Sequence, residues 1–161
     1  MRKIDALLAE YAVSHQTKLN IAIHYVCVPL IFFSLIGLLA SIPLPESIIG
    51  VFPKALAPYI HLGTLVILLG LSYYLRLSIV LFLGIIVFSV LVLFTIHQIE
   101  LLQIAPLWML MLGVFVVSWI GQFIGHNHEG KKPSFLKDLQ FLMIGPAWTM
   151  SHVFDAFKIK F

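Results

Sequence analysis

The sequence predicts an all-α fold: a polytopic membrane helix bundle that forms a single integral membrane domain over residues 1–161. Two features of the composition support a membrane protein: 61% of the residues are hydrophobic, and only 11% are charged. Soluble domains carry about 25% charged residues, so a soluble domain, a disordered chain and a disulfide scaffold are excluded. The third observation is a series of long uncharged segments, since about 20 apolar residues cross the hydrocarbon core of a bilayer.

The predicted elements begin with a short N-terminal surface helix over residues 4–13, where apolar residues recur at helical spacing from Ile4 to Tyr11. Four transmembrane helices follow. They are predicted in the four runs without Asp, Glu, Lys or Arg, at residues 19–45, 55–75, 77–99 and 101–128. Arg76 alone separates the second run from the third, which leaves a helical hairpin as an alternative for this middle pair.

The last apolar run, residues 139–154, is shorter than a membrane span and contains Gly145-Pro146. A proline inside a helix costs about 3 kcal/mol, and an adjacent glycine weakens the helix further. The sequence therefore predicts two short helical pieces joined at Gly145-Pro146, in a re-entrant or interfacial helical hairpin. Non-helical backbone at membrane depth is tolerated only where protein or a water-filled cavity covers it.

The cationic residues are distributed unevenly over the predicted loops. With four spans, Lys54 falls on one side of the membrane and all the others fall on the opposite side. These others are Arg2, Lys3, Lys18, Arg76, Lys131, Lys132, Lys137, Lys158 and Lys160. An excess of Lys and Arg marks cytoplasmic loops, so both termini are predicted to be cytoplasmic. No basic stripe with interleaved aromatic residues accompanies the net charge of +3, which excludes nucleic acid as a partner.

The cysteine content excludes two kinds of site, and a pair of adjacent lysines offers a candidate site for substrate binding. Cys27 is the only cysteine, so an internal disulfide and a cysteine-based metal cluster are excluded. Lys131 and Lys132 are candidate substrate-binding residues, because adjacent cations at a membrane surface attract an acidic headgroup. The alternative for these two lysines is an ordinary solvated loop.

The seven histidines fall into two groups once they are sorted by predicted depth. His61 and His97 lie at the outer ends of their helices, where they are interpreted as polar helix-end groups. The other five lie at the cytoplasmic ends of their segments: His15, His24, His126, His128 and, if the chain turns back at Gly145-Pro146, His152. Imidazole binds Fe, Zn, Cu and Ni, so five imidazoles at one depth predict a metal site. Any one of them alone is more often an interfacial hydrogen-bonding residue than a ligand, and His128 is either a supporting residue or simply exposed.

The spacing of two histidines requires a break before the first transmembrane helix. His15 and His24 are nine residues apart, so they would point in opposite directions from one continuous helix. Both can face one site if His15 lies in a turn that precedes the helix. Ser14 and Thr17 are residue types that cap helices, and they make such a turn possible.

Three further polar residues accompany the candidate ligands. Asn20 precedes His24 by four residues and Gln122 precedes His126 by four, so each pair shares one helix face. Glu129 follows His126 by three residues. We expect these side chains to act in catalysis by orienting the ligand imidazoles through the second ring nitrogen.

Three sequence signatures occur in a fixed order along nearly the whole chain. The first, at residues 11–30, reads YAVSHQTKLNIAIHYVCVPL. The second reads WIGQFIGH at residues 119–126, followed by EGKKPS at residues 129–134. The third reads LQFLMIGPAW at residues 139–148 and is followed by His152. In these signatures the chain resembles the 2-hydroxy fatty acid dioxygenase family, also known as the domain of unknown function 962.

The resemblance implies an Fe(II)-dependent membrane dioxygenase that uses O₂ to shorten 2-hydroxy fatty acids by one carbon, which is a fatty acid alpha-oxidation. Eukaryotic members act in the endoplasmic reticulum during phytosphingosine breakdown, and a bacterial member would lie in the inner membrane. Histidines of the family are thought to hold the iron. Carried over to this sequence, the implied ligands are His15, His24, His126 and His152.

Two other functions remain open at this stage. A membrane desaturase or hydroxylase with two irons is disfavoured, because such enzymes need more histidines, in HxxxH and HxxHH spacings that this sequence lacks. The second alternative is a non-enzymatic membrane bundle that carries or senses a metal or a lipid. Oxygen uptake with a 2-hydroxy acid distinguishes this bundle from the dioxygenase.

Overall fold

A computed structural model of the chain describes residues 2–130 and 135–160, and the side chains of all of these except residues 135–142. The described residues form α-helices and one 3-10 helix, and no strand occurs in these two ranges, which confirms the predicted all-α class. The helices are α1 (Lys3–Ala12), α2 (Lys18–Ala40), α3 (Glu46–Ile49), α4 (Leu62–Leu75), α5 (Ile79–Leu102), α6 (Leu107–His128) and α7 (Phe135–Ala156), with the 3-10 helix at Ala57–Tyr59.

Three of the described helices, α2, α5 and α6, are long and apolar enough to cross a membrane. The second predicted span is shorter than expected, because α4 has only 14 residues and a length of about 21 Å. Its apolar run begins earlier, but Pro58 lies in the 3-10 helix that precedes it, and the imidazole of His61 caps α4 by accepting a hydrogen bond from the backbone N–H of Thr64.

Helices α2 and α6 pack closely as an antiparallel pair, and two glycines of α6 permit the approach. A methyl group on Gly121 would lie 2.7 Å from Sγ of Cys27, and one on Gly125 would collide with the side-chain oxygen of Asn20. Residues early in α2 thus lie beside residues late in α6. This pairing brings the first turns of α2 to the last turns of α6, where candidate ligands of both helices lie.

The middle pair, α4 and α5, completes the bundle against α2. Ile67 of α4 forms one buried cluster with Ile36 of α2 and with Val92 and Ile96 of α5. The far ends of α4 and α5 form another cluster, in which Tyr74 meets the first turns of α5. We call the end formed by the first turns of α2 and α5 and the last turns of α4 and α6 the His24 end, and the opposite end the His61 end.

Helix α7 crosses the His24 end without interruption, so the predicted hairpin break at Gly145-Pro146 is wrong. Neighbouring helices pack against α7 where the sequence suggested a break. Pro146 cannot donate a backbone hydrogen bond to the carbonyl four residues before it, and in the same turn the carbonyl oxygen of Met143 accepts a hydrogen bond from the Tyr74 hydroxyl of α4. Gly145 serves close packing, because a methyl group there would lie 3.1 Å from Val28 of α2.

The predicted N-terminal helix is confirmed as α1, and its apolar side faces the protein. Leu7 and Tyr11 are buried in a cluster with Ile144 and Trp148 of α7. Ile4 is fully buried in the neighbouring cluster that contains Ala147, another residue of α7, and residues of α4 and α5. Helix α1 is therefore docked on α7 at the His24 end.

Candidate metal centre

Three imidazoles from three separate segments meet at the His24 end. His15 lies in the turn between α1 and α2, His24 in α2 and His126 in α6. One ligand nitrogen from each lies within 4.8 Å of the other two, a spacing that could hold one metal ion. The three side chains are 4%, 0% and 9% exposed. Buried imidazoles this close are a suitable ligand set for a transition metal.

The rings of this group are held in place by main-chain carbonyls and by each other. His15 donates from Nδ1 to the carbonyl oxygen of Tyr11 (2.7 Å), and His24 donates from Nδ1 to that of Asn20 (2.9 Å). Because a carbonyl only accepts, Nδ1 carries the hydrogen and Nε2 keeps its lone pair. Nε2 of His24 is buried and has no hydrogen-bond partner in the described part of the chain. A metal ion is a natural partner for such an atom.

Ring contacts hold the imidazoles at fixed angles to one another. The ring centroids of His15 and His24 are 4.2 Å apart, and that of His126 lies 5.1 Å from the first and 4.8 Å from the second. All three pairs meet edge to face. The ring of Tyr11 stacks on His15 at 4.1 Å with an interplanar angle of 8°. The site is thus closed on one side by an aromatic ring.

The turn that carries His15 has the conformation that the sequence predicted. Helix α2 begins at Lys18, and Thr17 caps it by accepting a hydrogen bond from the backbone N–H of Asn20 (3.4 Å). The Ser14 hydroxyl donates to the carbonyl oxygen of Tyr11 (3.3 Å). The prediction that His15 precedes the helix is therefore confirmed.

Glu129 joins the end of α6 to this turn. Its carboxylate accepts hydrogen bonds from the backbone N–H of Gln16 (2.5 Å), from the N–H (3.2 Å) and hydroxyl (3.0 Å) of Thr17, and from the side-chain amide of Asn20 (2.8 Å). Burial alone would raise the pKa of Glu129, but these hydrogen bonds lower it to about 2. The carboxylate is therefore ionised at neutral pH and holds the turn by charge-assisted bonds.

The expectation that Glu129 and Asn20 orient imidazoles through the second ring nitrogen differs from the observed contacts. In the described bonds, the acceptor for His24 is the main-chain carbonyl of Asn20, while the Asn20 side chain donates to Glu129 and to the Ser14 carbonyl (3.0 Å). Gln122 is buried one turn before His126. The catalytic roles of these three side chains stay predictions.

The structure places His152 beside the three-histidine group, but not within it. Its ring lies 4.3 Å from that of Trp148 and 5.3 Å from that of Tyr25, and its Nδ1 donates to the Trp148 carbonyl (2.8 Å). The Trp148 ring also contacts His15, at 5.4 Å. His152 therefore contacts the indole that contacts His15, and its role as a ligand stays a prediction.

Among the described residues, the metal group does not include His61, His97 or His128. His128 is exposed at the end of α6, and Lys131 and Lys132 lie outside the described residues. At the His61 end, His97 lies edge-on to Tyr59 with centroids 5.4 Å apart.

Sequence reasoning missed two aromatic residues that line the site, Tyr11 and Trp148. A signal was available, because each of them lies four residues before a predicted ligand, as Asn20 does before His24. That spacing puts the carbonyl of the earlier residue within reach of the imidazole Nδ1.

Comparison with known protein families shows which family the chain belongs to. The model of the Mpo1-like family, described as 2-hydroxy-palmitic acid dioxygenase Mpo1-like, matches residues 1–157. The chain belongs to this family. The match confirms the resemblance seen in the three signatures and covers all three histidines of the metal group. No curated protein and no solved structure matches the chain.

Proposed function

We propose that this protein is an Fe(II)-dependent dioxygenase that uses O₂ to shorten 2-hydroxy fatty acids by one carbon. The observation that carries the proposal is the group of three buried imidazoles whose ligand nitrogens lie within 4.8 Å of one another. The substrate class is supported by the description of the family as 2-hydroxy-palmitic acid dioxygenase Mpo1-like. A membrane bundle suits such a substrate, because an acyl chain can lie between apolar helices.

The donor set fits Fe(II), because imidazole nitrogen is a usual ligand for iron. Three neutral ligands leave coordination positions open and leave the metal its full positive charge, which favours an anionic bidentate partner. The carboxylate and 2-hydroxyl of the substrate are such a partner. Bound there, iron would supply the Lewis acidity and the one-electron chemistry that reaction with O₂ requires.

The reaction balances without an external reductant. A 2-hydroxy acid and O₂ give the acid one carbon shorter, CO₂ and water. O₂ takes up four electrons, and the substrate supplies all four, since its second carbon is oxidised by three units and its carboxyl carbon by one. The absence of a dinucleotide-binding fingerprint from the sequence is compatible with this balance.

The residues of the chain bind, orient and exclude water in this proposal. His15, His24 and His126 hold the metal, and the carbonyls of Tyr11 and Asn20 fix the first two rings. The rings of Tyr11 and Trp148, which are 5% and 3% exposed, keep water from that side of the site.

His152 is proposed as a fourth ligand on the strength of the family resemblance alone. Its Nδ1 is tied to its own helix in the same way as that of His15 and His24, which leaves Nε2 as the ligand atom. Lys131 and Lys132 are proposed to attract the acidic headgroup of the substrate.

The proposed membrane arrangement has α4 as a fourth, shorter pass, accommodated by local thinning of the bilayer. The packing of α2, α4, α5 and α6 is compatible with it, because each of these four helices runs opposite to the next one along the chain. The excess of Lys and Arg then puts both termini and the metal centre on the cytoplasmic side. The membrane would be the bacterial inner membrane, or the endoplasmic reticulum in a eukaryote.

Oxygen uptake by the detergent-purified protein tests the proposal. With Fe(II) and 2-hydroxypalmitate, we expect one O₂ consumed for each molecule of the shorter acid formed, as measured by an oxygen electrode and mass spectrometry. Palmitate, which lacks the 2-hydroxyl, is the control substrate and should give no uptake. A protein that binds iron but consumes no O₂ with 2-hydroxy acids would contradict the proposal and favour the non-enzymatic bundle.

A further inference from the structure

The three ligands of the candidate metal centre are supported in two different ways. His24 and His126 belong to α2 and α6, whose backbones approach closely at Gly125 and Gly121. His15 instead lies outside any helix, in the turn between α1 and α2. Two ligands are therefore fixed by the packing of the bundle, and the third depends on whatever holds this turn.

Glu129 makes the hydrogen bonds that tie the turn to α6. The two residues after His15 donate to its carboxylate from their backbone N–H groups, Gln16 to Oε1 at 2.5 Å and Thr17 to Oε2 at 3.2 Å. The Thr17 hydroxyl and the Asn20 side-chain amide also donate to Oε2, at 3.0 and 2.8 Å. Four donors from the turn and the first turn of α2 thus converge on one carboxylate.

Only a carboxylate can satisfy this arrangement. It has two oxygens that accept and no donor. A glutamine in the same place would present an NH₂ group to one of the two backbone N–H groups, because each carboxylate oxygen accepts from at least one of them. One backbone donor would then lose its acceptor.

We propose that Glu129 is a positioning residue that locks the His15 turn onto the preformed pair of His24 and His126, and so completes the metal centre. Glu129 acts through the backbone of Gln16 and Thr17 rather than through a ring nitrogen. The inference rests on the proposed metal centre. The inference goes beyond the proposed metal centre because it states which of the three ligands, His15, is positioned by the Glu129 carboxylate.

The first test needs no metal. Amide hydrogen exchange is measured on the whole protein in detergent for the wild type, Glu129→Gln and the control Glu100→Gln, which changes an exposed glutamate at the His61 end. We expect Glu129→Gln to speed exchange at least about tenfold at one of the two amides, Gln16 or Thr17, which loses its acceptor, with little change in α5. The control should leave exchange at both amides unchanged. Unchanged exchange in Glu129→Gln, or faster exchange throughout α5, would overturn a local role for the carboxylate.

The second test measures which ligand the carboxylate acts on. Co(II) is titrated into the apoprotein, and its absorption gives a dissociation constant for the wild type, Glu129→Gln, His15→Ala and the double variant. Supporting residues of a metal site commonly change affinity by about 10- to 100-fold. We expect Glu129→Gln to weaken binding at least about tenfold in the wild-type background and less than about twofold when His15 is already absent.

An equal loss of affinity in both backgrounds would overturn the proposal, because Glu129 would then act on His24, on His126 or on the fold. If His15→Ala binds Co(II) too weakly to titrate, the exchange experiment decides alone. Glu129→Asp is the matched variant that keeps the charge on a shorter side chain, and it should lie between the wild type and Glu129→Gln. Failure of the proposed function has a different signature: Co(II) would bind and the cycle would hold, but 2-hydroxy acids would cause no O₂ uptake.

Discussion

The two ends of the bundle both carry histidines at helix ends, and they use them differently. At the His61 end, Nδ1 of His61 accepts the backbone N–H of Thr64 at 3.2 Å and caps α4. At the His24 end, Nδ1 of His15 and His24 donates to main-chain carbonyls, and one ligand nitrogen from each lies within 4.8 Å of the other and of one from His126. A capping imidazole uses its lone pair inside its own helix, whereas a candidate ligand keeps that lone pair for a partner. The hydrogen-bond role of Nδ1, acceptor at His61 and donor at His15 and His24, therefore distinguishes the two ends.

The largest effect that the comparison predicts is loss of iron from the His24 end. His24→Ala or His126→Ala removes one of three ligands, and we expect iron affinity to fall by more than about 100-fold. His61→Ala is the matched control and should retain iron. Iron per chain, counted by mass spectrometry after purification in detergent, checks both. Equal iron in all three variants would remove the distinction between the ends.

The next prediction concerns the close approach of helices α2 and α6 beside the metal centre. A methyl group on Gly125 would collide with Asn20 and separate α2 from α6, so Gly125→Ala should cost about 1–3 kcal/mol and weaken iron binding. Gly113→Ala, in the same helix, is the matched control, because a methyl group on Gly113 would have no neighbouring atom within 4 Å. It should stabilise α6 by about 1 kcal/mol. Thermal unfolding and iron content are measured together, and equal effects of the two substitutions would contradict the close approach.

The next prediction concerns helix α7, which crosses the His24 end. Tyr74→Phe removes the hydroxyl that donates to the Met143 carbonyl, and we expect a loss of about 1–2 kcal/mol in the free energy of unfolding. Tyr73→Phe, which deletes the same group from the half-buried neighbour, should cost less. Denaturant unfolding of both variants checks the difference. If Tyr73→Phe cost as much, the hydrogen bond from Tyr74 to the Met143 carbonyl would not explain the loss.

The smallest effect is expected at the His61 end. His61→Ala removes the cap of α4 and should cost about 1 kcal/mol of stability. His61→Asn keeps a side-chain acceptor and should recover most of that loss. Unfolding measurements and iron content together check the assignment. A drop in bound iron in His61→Ala would show that this end also contributes to metal binding.

The sequence predicted the parts of this fold that depend on local pattern. Uncharged runs located α2, α5 and α6, and the nine-residue separation of His15 and His24 required the turn that the structure contains. The continuity of α7 could not be predicted in this way. Around Pro146, α7 meets residues that are distant in sequence, among them Tyr74, whose hydroxyl donates to the Met143 carbonyl in the turn before this proline.

The site shows the same limit. Predicted depth selected His24 and His126, but residue spacing could not reveal that the Trp148 ring contacts both His15 and His152. It also placed Glu129 near the ligands without showing its partners. Those partners include backbone N–H groups of a turn, which side-chain periodicity does not describe.

X-ray absorption at the iron edge tests the central claim, three imidazoles on one cation, most directly. The spectrum of the Fe(II)-loaded protein without substrate should show multiple scattering from at least three imidazole rings, and His15→Ala should show one ring fewer. A first shell without imidazole scattering, or a spectrum that does not change in His15→Ala, would contradict the metal centre described above.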